Sequence, residues 1–261
     1  MSDSEPPAPV PQRYFMQLSY HGAPYHGWQI QPGCVTVQSV IEDALTKVMR
    51  RPTPVVGAGR TDAGVNARSM IAHFDAPSPI ADEQGFVRAL NSIVGRDIAI
   101  QKVCPVHPDA HARFDATSRT YHYYVTTVKT PFFHPLCWQA PPRLDFEAMN
   151  RAALELLAVD DFRSFAKLHT DNKTNICHVT EAAWHPVPGI DGGYVFVITA
   201  DRFLRNMVRA VVGTLVDVGR GKLTIEDFRR IISERNRCSA GISMPGHALY
   251  LWDVTYPYIS F

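Results

Sequence analysis

The stretch "VVGAGRTDAGVNA" (residues 55–67), together with the "RSMIAHF" (68–74) directly after it, decides how this chain folds. Gly57 and Gly59 begin a G-x-G-x-x-G pattern, but Asp62 stands where the third glycine belongs. The segment after the loop alternates like a strand and lacks the period of a helix. A dinucleotide-binding unit needs both the third glycine and a helix at that point, so that reading fails. "TPVVGA" (53–58) and "RSMIAHF" instead predict two strands joined by a tight loop with Arg60 and Asp62 at its tip. "GRGKLT" (219–224) fails as a phosphate loop as well, because Val216 replaces its first glycine and Leu223 its Ser/Thr.

Working outward, "YFMQLSY" (14–20) alternates as a strand. From Val37, apolar residues fall at Val40, Ile41, Ala44, Leu45, Val48 and Met49, which is helical spacing, with Thr36 placed to cap it. "DEQGFVRALNSIV" (82–94) predicts a second helix and "DIAIQKV" (97–103) another strand. The order is β-α-β-β-α-β. The second half repeats it. "TYHYYVTTV" (120–128) is a strand, and 145–159 an amphipathic helix capped by Asp145. Further strands lie at 175–186 and 193–200, helices at 202–219 and 224–236, and a last strand at 249–257. The expectation is an α+β fold of two ferredoxin-like halves, with two mostly antiparallel sheets flanking a central catalytic cleft. The halves are placed at 13–108 and 109–261, dividing among "VHPDAHARF" (106–114), after a proline-rich disordered tail over 1–12.

Bulk chemistry narrows the function classes. Net charge is only +1, yet 20 of the 26 basic residues are arginine, whose planar fork suits phosphates and stacks on bases. The five scattered cysteines form no C-x-x-C, which argues against a disulfide framework and a zinc site. His107 and His111 are separated by Pro108, so they do not share a helical face. The N-terminus has neither a basic start nor an apolar run, and no apolar stretch is long enough to span a bilayer. A reducing cytoplasm is the expected location.

Three places carry candidate chemistry. Asp62 before Ala-Gly is a good turn residue by itself, but Arg60 in the same tip is unusual. On the predicted helix 202–219, Arg202, Arg205 and Arg209 stand three and four apart beside an apolar stripe. Seen alone they form a solvated basic face. Arg209, however, has no acid at i±3 or i±4, so if part-buried it needs a partner from elsewhere, and Asp62 is one. In "SRTYHYYV" (118–125), Tyr121 and Tyr123 share one strand face, His122 and Tyr124 the other. Core packing accounts for one face; an exposed tyrosine on the other would be a stacking platform for a base.

"GAGRTDAGVNA", "HARFDATSRTYHYYV" and "FLRNMVRAVVGTLVDVGRG" together closely resemble the tRNA pseudouridine synthase A family, and "HGWQIQPGCVTVQSVIEDAL" and "ALYLWDVTYP" agree. The resemblance runs from about residue 13 onward. It implies conversion of uridine to pseudouridine at positions 38 to 40 of the tRNA anticodon stem-loop, by a homodimer that needs no cofactor and no metal. It assigns Asp62 as the catalytic aspartate, Arg209 as its partner, Tyr121 as the residue that packs on the target base and Arg60 as the one that helps extrude it. Arg205 and Leu249 join Arg60 and Tyr121 as candidate substrate contacts. The sequence departs from the family's usual pattern at Asn66, where His is usual, and at "GHALYL" (246–251), both expected to alter local RNA contacts. "PFFHPLCW" (131–138) is the expected dimer contact. The same element order also describes the RRM, which makes a non-catalytic RNA-binding module the alternative. Its signature is missing here, and a binder needs no carboxylate facing a polyanion. A small-molecule enzyme of this fold is a further alternative, and it would lack salt-dependent tRNA affinity.

Overall fold

Strand β1 (Gln12–Tyr20) puts Tyr14, Met16, Leu18 and Tyr20 on one face, and all four are buried. The computed structural model describes residues 11–167 and 174–261, so positions 1–10 of the expected tail lie outside the described residues. Helix α1 (Val37–Met49) is capped by Thr36, whose hydroxyl accepts from the Ser39 N–H, and it buries Val37, Ile41, Ala44 and Leu45. After it come β2 (Val56–Gly57), β3 (Asn66–Ala76), α2 (Glu83–Asn91) and β4 (Ile98–Pro105). The second half supplies β5 (Ser118–Thr126), the short β6 (Trp138–Gln139), α3 (Phe146–Leu154), β7 (Val179–Pro186) and β8 (Gly193–Ala200). Helices α4 (Met207–Gly219) and α5 (Ile225–Glu234) precede the last strand, β9 (Leu249–Thr255). Asp145 caps α3 through the Ala148 N–H.

The strands form one nine-stranded sheet in the order β4-β1-β3-β9-β5-β8-β7, with β2 beside β3 and β6 beside β5. The expectation of two separate sheets is therefore corrected. The join is β3 to β9, a parallel contact of two residue pairs, Asn66 with Tyr250 and Ala67 with Leu251. The physical reason lies in the open edges. A half-sheet ending at β3 and another ending at β9 would each expose unpaired ladder groups, and pairing them satisfies both. The free edge of β3 is shared: β9 takes its first residues, and Val56 and Gly57 of β2 pair with His73 and Ala72. That division leaves only two residues of the expected strand 53–58 in the ladder.

Two apolar clusters fill the helix-covered face. One gathers β1, β3, α1 and α2 around Tyr14, Ile41, Leu45 and Phe74. The other gathers β5, β8, α3, α4 and α5 around Tyr123, Phe165, Phe196 and Val211. Tyr121 of β5 packs against both. On the opposite face, His122 stacks on Trp252 at 4.0 Å and 8°, with the Arg68 guanidinium over the same indole. Tyr256, Tyr258 and Phe261 cover Phe15 there. Among the described residues, no helix is long and apolar enough to cross a membrane.

Candidate active site

The loop between β2 and β3 is held from beneath by close packing. A Cβ on Gly57 would lie 2.5 Å from the Trp28 ring, and one on Gly22 would lie 2.1 Å from the Val65 carbonyl oxygen. Only a residue with no side chain permits either approach. A Cβ on Gly59, by contrast, would meet nothing within 4 Å. Of the two glycines of the motif, Gly57 admits an indole, while nothing in the structure requires glycine at position 59. The Trp28 N–H donates to the Thr61 carbonyl at 3.1 Å, and the Val65 N–H to that of Asp62 at 3.2 Å. Buried Tyr20 shares a 2.8 Å hydrogen bond with the Thr61 hydroxyl.

These contacts hold the loop that presents Asp62 to two arginines of the second half. Its Oδ2 lies 3.4 Å from Arg209 Nη1, and its Oδ1 lies 3.7 Å from Arg205 Nε. Asp62 and Arg209 are each about three-quarters buried, with side-chain exposures of 26% and 22%, whereas Arg205 is 58% exposed. Arg209 is held a second time by its Nε, which donates to the Met244 carbonyl at 2.5 Å. Two guanidinium groups facing one carboxylate keep it ionised at a partly buried position.

The two arginines reach Asp62 by a route that differs from the expected one. The helix begins at Met207, so Arg202 and Arg205 are not helical and the shared three-arginine face does not exist. Asn206 is the reason. It takes the left-handed conformation (φ 67°) and breaks the helical run, and its amide donates to the Ser243 hydroxyl. The segment 201–206 instead projects Arg205 toward Asp62, while among the described residues no ion pair joins Arg202 to Asp62. Arg209 sits in the first turn of α4.

Tyr121 of β5 lies near Asp62. Its ring meets Phe203 edge to face at 5.1 Å and 84°. Burial pushes its hydroxyl pKa up to about 12; the nearby Asp62 charge adds to that shift and Arg119 opposes it. At neutral pH the phenol is therefore a neutral hydrogen-bond donor beside the carboxylate. Leu249 is buried at the head of β9 opposite Tyr123, two residues before Leu251, which lies opposite Tyr121. Arg60 is exposed at the loop tip and makes no hydrogen bond or ion pair with other described residues.

Asn66 is not a surface contact. It is buried, its Oδ1 accepts from the Gly22 N–H at 2.8 Å, and its Nδ2 donates to the His247 carbonyl at 2.7 Å. The two departures noted in the sequence, Asn66 and "GHALYL", thus meet each other. The acids Asp43, Glu147 and Glu155 pair with Lys47, Arg151 and Arg229, and Glu42 accepts from Gln38 and the Val55 N–H, all away from Asp62. Sequence reading missed Tyr20, Thr61, Met244 and Arg119. Three of these act through backbone carbonyls or a single hydroxyl, which leave no spacing signal. Arg119 had one available signal: it lies two residues before Tyr121 on the same strand face.

A family model described as tRNA pseudouridine synthase matches residues 152–257. The tRNA pseudouridine synthase A of Parabacteroides distasonis is 59% identical over 246 residues, which is 94% of this chain and 96% of that one. Those of Bacteroides fragilis and Bacteroides thetaiotaomicron are each 54% identical over 94% of this chain, and 97% and 91% of the respective relatives. With identity that high along almost its whole length, the chain belongs to the tRNA pseudouridine synthase A family.

Proposed function

We propose that the chain isomerises uridine to pseudouridine at positions 38 to 40 of the tRNA anticodon stem-loop, with Asp62 as the catalytic carboxylate. The observation that carries the site assignment is Asp62 facing Arg209 and Arg205, close enough to Tyr121 for its charge to act on the phenol. In the reaction the N1–C1′ bond breaks, the freed uracil turns, and C5 joins C1′. C5 loses its proton and N1 gains one, so the overall change is redox-neutral. Asp62 acts on the nucleoside, Arg209 and Arg205 offset its charge, and Tyr121 stacks on the uracil. A base inside a stem must leave the stack at a cost of a few kcal/mol. Arg60, exposed at the tip, fills the space it leaves.

The strand orders β4-β1-β3, with β2 beside β3, and β9-β5-β8-β7 support reading the halves as two ferredoxin-like units. We divide them at about residue 108. We place the enzyme in the cytoplasm as a homodimer that contacts its partner through residues 131–138, where Phe132 is 89% exposed beside the exposed Phe133 and Leu136.

The test is release of tritium from tRNA carrying [5-³H]uridine. The wild type is expected to release it, and Asp62→Asn to release none while binding tRNA as before. A wild type that binds tRNA without release would leave an RNA-binding module, and release by Asp62→Asn would remove Asp62 from the chemistry.

A further inference from the structure

Arg119 is a half-buried guanidinium with no carboxylate partner among the described residues. Four of its N–H bonds go to backbone carbonyls instead. Nη1 donates to Ala116 at 2.9 Å and Asp201 at 2.7 Å; Nη2 donates to Ala58 at 3.1 Å and Arg113 at 2.5 Å. Those four oxygens belong to three separate segments. Ala58 is at the base of the loop that carries Asp62. Asp201 opens the segment that carries Arg205. Arg113 and Ala116 lie in the connector between β4 and β5. Arg119 itself is on β5, two residues before Tyr121 and on the same face.

A full positive charge placed among neutral carbonyls is a costly way to fasten loops unless their relative position matters. The shape of the group explains the choice. A planar fork with five donors in fixed directions can bind several acceptors from different segments at once. A lysine has one nitrogen and cannot span these four oxygens.

We infer that Arg119 is a positioning residue for the reaction, setting the Asp62 loop, the Arg205 segment and the Tyr121 ring at their working separations. It touches neither substrate nor reacting atoms. The inference rests on the site assignment proposed above. Misplacing a catalytic group by about 1 Å costs on the order of a hundredfold in rate. Arg119→Lys is therefore expected to bind tRNA with near wild-type affinity and to release tritium about a hundredfold more slowly in single-turnover assays. Arg119→Ala should behave the same way, and ethylguanidinium should restore much of its rate where ethylammonium does not. A purely structural role would lower thermal stability without such selective rescue. If Arg119→Ala fails to fold, Arg119→Lys carries the test.

Wild-type rate in Arg119→Lys would overturn the inference, as would a loss that appears wholly in tRNA affinity, or equal rescue by both amines. Asp62→Asn is assayed alongside. If that variant stays active, the site assignment has failed. If it is inactive while Arg119→Lys is fully active, only the role of Arg119 has failed.

Discussion

At the scale of single residues, the site separates groups that carry charge from groups that carry shape. The Tyr121 hydroxyl, with its pKa pushed up to about 12 by burial, stays protonated through the working pH range. The enzyme's pH–rate profile should therefore show no basic limb from Tyr121 below about pH 10. Tyr121→Phe keeps the stacking ring and is expected to keep tRNA affinity, while turnover falls by about a hundredfold if the hydroxyl moves a proton. Measuring Kd and the single-turnover rate on one preparation separates the two effects; an unchanged rate would restrict Tyr121 to stacking. Asp62 and Arg60 were visible in the sequence because an aspartate and an arginine broke a glycine pattern. The Asp62–Arg209 contact was reachable only as an inference from an arginine lacking a local acid, since 147 residues separate the two. The clamp at Arg119 left only its place two residues before Tyr121 as a signal, because carbonyl oxygens are common to every residue.

At the scale of elements, α4 and the segment after α5 depend on one close approach. A Cβ on Gly213 would lie 1.9 Å from the Ile242 carbonyl oxygen. Alanine in place of a helical glycine ordinarily stabilises by up to about 1 kcal/mol. Here the overlap is with backbone, which cannot swing aside, and overpacking of that kind costs about 1–3 kcal/mol. Gly213→Ala is thus expected to lower thermal stability. It should also slow turnover, because the displaced segment carries Met244, whose carbonyl holds Arg209. Equal or higher stability by calorimetry would contradict this. Periodicity located the helices well where apolar spacing and a capping residue coincided, as at Thr36 and Asp145. It overran at residue 202, because the apolar pattern of Phe203 and Leu204 continues past the point where Asn206 turns left-handed. Pattern records burial, and burial does not stop at a helix end.

At the scale of the molecule, two further measurements apply. Phosphate recognition by exposed arginines requires tRNA affinity to fall steeply with salt. Arg60→Ala should reduce the slope of log K against log salt by about 1; an unchanged slope would place Arg60 away from the backbone. Stability should depend on acid through His73. Burial, aided by Arg13 and His111, lowers its pKa to about 4, against the opposing charges of Asp75 and Asp115. The folded state holds the neutral ring, so as pH falls the unfolded chain takes up the proton first. Stability is full above about pH 6.5 and drains as pH falls toward about 4, by up to about 3 kcal/mol. His73→Gln, which retains an acceptor for the Ala112 N–H, should flatten the fall in Tm over that window. The element order of both halves was legible from alternation and spacing. That the halves share one sheet was not, because two residue pairs between β3 and β9 leave no mark in either strand's pattern.

That short seam has a consequence in time. β9 is the ninth strand in chain order, yet its place is in the middle of the sheet, between β3 and β5. During synthesis both neighbours must wait with open edges until residues 249–255 have emerged. A nascent chain ending before them has its aspartate and its arginines but no strand to bring them to one address. The chain's most vulnerable moment for mispairing thus comes just before its last strand arrives.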